Sequence, residues 1–182
     1  QLGAYALSEL QAGSDVASMT TRATRVDSGG EPTAYRIRGR KAWISHAGHA
    51  DYYTTFARTS DDGGRGISCF IVPGDATGLS FGTPEKKMGL HCDTVREVSY
   101  EDVEVEAGRR IGAEGQGMSI ALAALDAGRL GISAAATGLA QSALDVASAY
   151  AVERRQFGRA IADNQGLAFL IADMEAAVGG AR

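Results

Sequence analysis

The chain has 182 residues, 45% hydrophobic and 22% charged, with a formal net charge of −4. This length holds one domain, or a domain and part of a second; the balance suits a globular core, and the acidic excess argues against a general nucleic-acid or anionic-membrane surface. Two cysteines, Cys69 and Cys92, with no CxxC pair and no Cys/His cluster, argue against a disulfide scaffold or a structural zinc site and predict a reducing compartment, the cytoplasm.

The stretch from Gln1 to Leu7 carries no initiator Met, charged leader or long apolar run, so neither a signal peptide nor a spanning helix is predicted there. At the other end a helical pattern is still running from Ile171 to Arg182. Both ends therefore read as those of an internal piece of a longer protein.

Tyr5-Ala6-Leu7-Ser8-Glu9 followed by Ala12-Gly13-Ser14-Asp15 supports two readings. One is a strand leading into a Ser/Asp cap or turn, which composition favours. In the other, small residues let backbone N–H groups approach a flat or anionic ligand, with the Ser8 and Ser14 hydroxyls as further donors. Next, Tyr35 to Arg38 and Lys41 to Ser45 flank Gly39, which predicts a hairpin. Trp43, the only tryptophan, lies in the second arm; an indole there is either core or a surface for stacking on a planar ring.

Strands are further predicted at Tyr52–Arg58, Ile67–Val72, Gly78–Phe81 and Val95–Val105, punctuated by Asp61-Asp62-Gly63-Gly64 and Pro73-Gly74-Asp75. Cys69 is expected to be buried in its strand. Many strands without intervening helices predict an antiparallel sandwich or barrel. The chain changes character near residue 112. From Ile120 to Ala151 leucines and isoleucines recur at three- and four-residue steps, and a second helix is predicted from about Asp163.

Gly128, Gly131 and Gly138 inside the long helix each cost about 1 kcal/mol relative to Ala, which predicts close packing or a close ligand. Two helices alone do not enclose such an apolar face, so partners are expected from further sequence or another subunit. Glu153-Arg154-Arg155-Gln156-Phe157-Gly158-Arg159 is either a solvated helix end or a pair of guanidinium groups suited to a pyrophosphate.

Taken in order, these blocks resemble the acyl-CoA dehydrogenases. The resemblance is carried by Tyr5 to Asp15, Gly39-Arg40-Lys41-Ala42-Trp43-Ile44-Ser45, Lys87-Met88-Gly89-Leu90 and Tyr100 to Val105. Gly115-Gln116-Gly117, Leu125-Asp126-Ala127-Gly128-Arg129, Gly138-Leu139-Ala140, Glu153 to Gly158 and Asn164-Gln165 continue it. It implies an α+β chain: a β-barrel-like middle domain at 1–112 that binds flavin and acyl-CoA, then the first helices of a truncated C-terminal bundle at 113–182.

The implied cofactor is FAD. Tyr5, Leu7, Ser8, Gly13, Ser14, Trp43, Ile44 and Ser45 would line it, with Trp43 packed on the isoalloxazine and Ser45 standing where the family usually has Thr. Arg154, Gln156 and Phe157 would grip the flavin of a neighbouring subunit, and Gln165 also matches a flavin-contacting position. Ser14, Asp126 and Arg129 would touch the acyl-CoA substrate. Leu10 stands where the family has Pro, and Val95 where Thr is common.

Gly128 occupies a position that holds the catalytic Glu in some subgroups, so the base is expected beyond Arg182 and the piece alone is expected to be inactive. The implied reaction is removal of an α-proton and transfer of a β-hydride to flavin N5, giving a 2-enoyl-CoA. An electron-transferring flavoprotein is the implied acceptor and a dimer of dimers the implied assembly. An acyl-CoA oxidase, or a non-catalytic CoA-binding module on the same scaffold, is the alternative.

Overall fold

In a computed structural model, which describes residues 1–27 and 29–182, ten strands and two α-helices form two compact units, Gln1–Ala123 and Ala124–Arg182. The first unit holds β1 (Gly3–Ala6), β2 (Arg22–Val26), β3 (Ala34–Ser45), β4 (Tyr52–Arg58), β5 (Ile67–Pro73), β6 (Leu79–Phe81), β7 (Val95–Glu106), β8 (Arg110–Ile111) and the start of α1 (Gly117–Glu153). The sheet order is β6-β7-β3-β2-β4-β5-β8, with β1 beside β4. It is the expected α+β arrangement, mostly antiparallel; β1 and β2, however, run parallel to β4.

Alternation along β3 and β7 sends Tyr35, Ile37, Ile44, Val98, Tyr100 and Val103 into one core, where Phe70, Val72 and Tyr53 meet them. A second cluster gathers Leu7, Ala12, Met19, Phe56, Ile67, Cys69 and Ala121. Cys69 is fully buried, as its strand pattern predicts, and burial pushes its thiol up to about 12, leaving it a small apolar packing group.

The predicted hairpin at Gly39 is not formed. β3 runs unbroken through Gly39 and pairs with β7 from Ala34 to Ser45. Gly39 serves a different need: its φ is +149°, and a Cβ there would lie 2.5 Å from Thr21 Oγ1 and 2.7 Å from Thr21 Cα. Glycine is present so that the segment at Thr21 can lie against the strand, and a turn is not required. Two bulges break the β3–β7 register. Between Ile37 and Gly39 the extra residue is on β7, where Asp102 takes φ +56°; between Lys41 and Ile44 it is on β3, where Trp43 takes φ +58°.

α1 begins three residues before its predicted start. A Cβ on Gly117 would lie 2.8 Å from the backbone of Ile67 and Ser68, so glycine lets the first turn sit directly on β5. Ala121 is buried there, with Met118 and Ile120 packed beside it. This is why the first unit extends to Ala123, past the change of sequence character near residue 112.

The second unit comprises the rest of α1, the strands β9 (Arg155–Gln156) and β10 (Arg159–Ala160), and α2 (Gln165–Ala181). Leu144 and Val178 are buried, whereas Leu130, Ile132, Leu139, Val146, Phe169 and Leu170 are exposed. Each such side chain left in water forgoes about 1.5–3 kcal/mol of burial. By length and composition α1 is apolar enough to cross a membrane; a bundle helix without its neighbours has the same character. Among the described residues, the helix's own backbone aside, nothing lies within 4 Å of a Cβ built on Gly128, Gly131 or Gly138, so the described residues do not supply the close packing predicted from these glycines.

Candidate functional site

Two distant stretches of sequence meet at one edge of the first unit. The Ala42 N–H donates to the Ser8 carbonyl at 2.9 Å, and Lys41 Nζ donates to the Leu7 carbonyl, also at 2.9 Å. Lys41 Nζ also donates to Glu9 Oε1 at 3.0 Å, an ion pair with both side chains buried. The Glu9 carboxylate accepts four further hydrogen bonds: from the Thr20 N–H at 2.7 Å, Thr20 Oγ1 at 2.9 Å, the Thr21 N–H at 2.9 Å and Gln11 Nε2 at 2.8 Å. Burial alone would raise the Glu9 carboxyl, but the Lys41 charge and the Thr20 and Thr21 donors outweigh it and hold the group at about 2. Burial draws Lys41 down to about 8, against the pull of Glu9.

Trp43 projects from this edge. Its positive φ turns the indole out of the sheet, and the residue is 51% exposed. A bulky residue in the left-handed region is an outlier costing on the order of 1–3 kcal/mol, and such strain is concentrated at functional positions. Ile44 beside it is buried, so its side chain belongs to the core. Leu7 is likewise a core side chain, which leaves only its backbone to meet a ligand.

Tyr5 is half-buried; its hydroxyl donates to the Ala121 carbonyl at 3.1 Å, and burial raises the phenol to about 12. Ser8 keeps its hydroxyl at the half-open surface. Ser45 donates its hydroxyl to Asp93 Oδ2 at 2.8 Å. Gly13 and Ser14 form an exposed turn beyond the Glu9–Ala12 bridge; among the described residues their N–H groups make no hydrogen bond, and the space around Gly13 is open.

The second unit presents its candidate residues differently. Asp126 and Arg129 are exposed on α1 and pair with each other at 3.1 Å. β9 and β10 form a two-residue hairpin whose tip, Phe157-Gly158, has φ of +51° and +81°. These are the signs of a type I′ turn, usually filled by Asn-Gly or Asp-Gly, and the Phe157 ring at its tip is fully exposed. Arg154 is also exposed, Gln156 Nε2 donates to the Arg155 carbonyl at 2.7 Å, and Gln165 opens α2. Loop tips of this kind read as contact points rather than core.

The first unit offers a half-exposed aromatic face beside backbone and hydroxyl donors, an arrangement suited to a planar, polar-edged ligand. The chain belongs to the acyl-CoA dehydrogenase family: residues 4–103 match the acyl-CoA dehydrogenase middle domain and residues 115–182 the acyl-CoA dehydrogenase C-terminal domain. It is 44% identical over 174 residues to an acyl-CoA dehydrogenase of Bacillus subtilis, covering 95% of this chain and 45% of that protein. It is similar to butyryl-CoA dehydrogenase of Megasphaera elsdenii, with 38% identity and a TM-score of 0.91 over 98% of this chain and 46% of the other. It is also similar to a FAD-dependent dehydrogenase, with 31% identity and a TM-score of 0.89 over 98% of this chain and 47% of the other. The chain spans about half the length of the relatives it matches.

Three residues that organise this edge were given no role from sequence. Glu9 follows the mostly apolar run Ala4 to Leu7, a weak signal, whereas Lys41 follows Arg38 and Arg40 and carries no local signal; only folding buries the two together. Asp93 lies in a loop of ordinary composition; only folding brings it to Ser45.

Proposed function

We propose that this chain is part of a FAD-dependent acyl-CoA dehydrogenase that oxidises an acyl-CoA thioester to a 2-enoyl-CoA. The observation that carries this reading is the Trp43 indole, turned outward by a strained bulge beside the Leu7–Ser8 edge, within a chain whose two parts match the family's middle and C-terminal domains. When bound, FAD would supply the acceptor for the β-hydride at its N5.

The residues fit such a group. Trp43 offers a flat apolar face, Ser8 and Ser45 polar contacts at the ring edge, and the Gly13–Ser14 N–H groups an approach for phosphate. Tyr5, Leu7 and Ile44 shape the wall behind these contacts. Arg154, Gln156 and Phe157, together with Gln165, would address the flavin of a neighbouring subunit, and Asp126 and Arg129 the CoA end of the substrate along with Ser14. A dimer of dimers in the cytoplasm, passing electrons to an electron-transferring flavoprotein, is the proposed setting. On the family resemblance, the Gly128 position holds the base in some subgroups; since glycine has no carboxylate, the group that removes the α-proton is proposed to lie beyond Arg182, and the chain by itself is proposed to be inactive.

The test is replacement of Arg154 in an enzyme that contains this chain. Arg154→Ala should weaken flavin retention about tenfold or more, as loss of a charged contact to phosphate does, while acyl-chain preference stays unchanged. A shift in acyl preference with flavin retained would overturn the assignment of Arg154.

A further inference from the structure

The Glu9–Lys41 pair has no part in the proposed chemistry, yet it is the most heavily bonded charged group in the first unit. Lys41 lies two residues before Trp43 on β3, at the near end of the bulge. Its ammonium reaches the Leu7 carbonyl, Glu9 Oε1 and, at 3.6 Å, Met19 Sδ. Glu9 closes the loop that runs from itself to Thr21, since its two oxygens take both the Thr20 and Thr21 N–H groups. The Gly13–Ser14 turn rides on that loop. Leu7 and Ser8 are therefore tied to β3 at two successive carbonyls, one through a side chain and one through the Ala42 N–H.

The turn at Leu10–Gln11 is held by the Glu9–Ala12 backbone bridge and by Gln11 Nε2 on the carboxylate, so the charged pair anchors this turn as well.

We infer that the buried Glu9–Lys41 pair is a positioning pair that holds the Leu7–Ser8 edge and the Gly13–Ser14 turn in fixed register with Trp43, making one rigid ligand-facing wall from two separate stretches. This rests on the flavin reading for what the wall faces, but not for the rigidity itself. A buried pair is seldom retained for stability alone, because apolar residues of similar volume commonly serve as well. What it supplies here is directional bonding to three segments that an apolar pair would not orient.

The experiment compares Lys41→Met, Glu9→Gln and the double variant with the unaltered protein, well below each thermal midpoint, where circular dichroism shows the fold intact. Three readouts are used: acrylamide quenching of the single tryptophan, amide hydrogen exchange over residues 7–21, and FAD titration. Each single variant should raise quenching, speed exchange in that segment about tenfold or more and weaken FAD by a similar factor, and the double should resemble the singles instead of summing them. Arg36→Gln, at the exposed pair with Glu104, should change none of the three.

If exchange and quenching stay at the unaltered level in folded single variants, the pair is only a packing element and the inference falls. Should a single variant fail to fold, Thr20→Val decides. It removes one hydroxyl donor from Glu9 without leaving a buried charge alone, and it should move the same readouts about threefold; no movement would overturn the proposal. If an enzyme that contains this chain takes up no FAD while exchange and quenching in these residues respond as described, the positioning role stands and the flavin reading fails.

Discussion

Ser45 donates its hydroxyl hydrogen to Asp93 across 2.8 Å, which joins the end of β3 to the loop before β7. The same carboxylate receives the His46 N–H at 3.3 Å and faces Lys87 Nζ at 3.6 Å, while Lys87 donates to the carbonyls of Leu90 and Asp93. The hydrogen bond from Ser45, joined by His46 and Lys87, holds the Asp93 carboxyl below its ordinary range. With its proton committed to Asp93, the Ser45 oxygen has only lone pairs left to offer a ligand.

Asp93→Asn exchanges the charged acceptor for a neutral one. Amide exchange should quicken across residues 87–94 by about threefold or more, while the remote β4–β5 ladder keeps its protection. Uniform acceleration over the whole unit would mean that Asp93 supports global stability and does not act locally.

Glu9 should dominate the acid side of the stability profile. Its folded value of about 2 lies below the ordinary 4.5, so the unfolded chain binds the proton first as pH falls. Its contribution is fully present above about 4.5 and is lost as pH drops towards 2. Glu9→Gln should lower stability at pH 7, because Lys41 is left buried without its partner, yet flatten the slope between those two values. Urea midpoints measured at half-unit pH steps would show this; an unchanged acid slope would remove Glu9 from the account.

Gly39→Ala should destabilise the first unit by at least about 1 kcal/mol. The φ of +149° is poorly suited to any side chain, and the new methyl would meet the Thr21 backbone, which has little room to withdraw. Thr21 carries one of the N–H groups bound by Glu9, so the loop from Glu9 to Thr21 should loosen together with the strand. A variant with an unchanged urea midpoint would contradict the close approach described for Gly39.

Phe157→Asn should strengthen the β9–β10 hairpin and weaken its proposed contact. Asn adopts positive φ more readily than Phe, a gain on the order of 1 kcal/mol at the first position of an Asn-Gly turn. Cross-strand nuclear Overhauser effects between Gln156 and Arg159 should grow, while flavin retention in the assembled enzyme falls. Retention equal to that of the unaltered enzyme would show that the exposed ring is not a flavin contact.

Most of the strands were legible because runs rich in aromatic and β-branched residues stand between turn signals; Tyr52–Arg58, read from such a run, forms β4 with those same bounds. The long helix was legible from its three- and four-residue steps. Gly39 was misread because sequence alone does not distinguish a glycine that turns a chain from one that admits a neighbouring backbone. The parallel course of β1 beside β4 was hidden for a similar reason, since strand direction depends on which distant partner is chosen.

By itself the sequence determined the α+β order of elements, the resemblance to acyl-CoA dehydrogenases and the residue types available for a flavin. Only the tertiary structure decided that Leu7 and Ile44 are core side chains, that Trp43 is turned outward at a bulge, and that Glu9, Lys41 and Asp93 bind the surrounding segments together. The physical reason is range. Periodicity and turn chemistry act between residues a few positions apart, whereas a buried ion pair such as Glu9–Lys41 forms only when stretches more than thirty residues apart share one desolvated space.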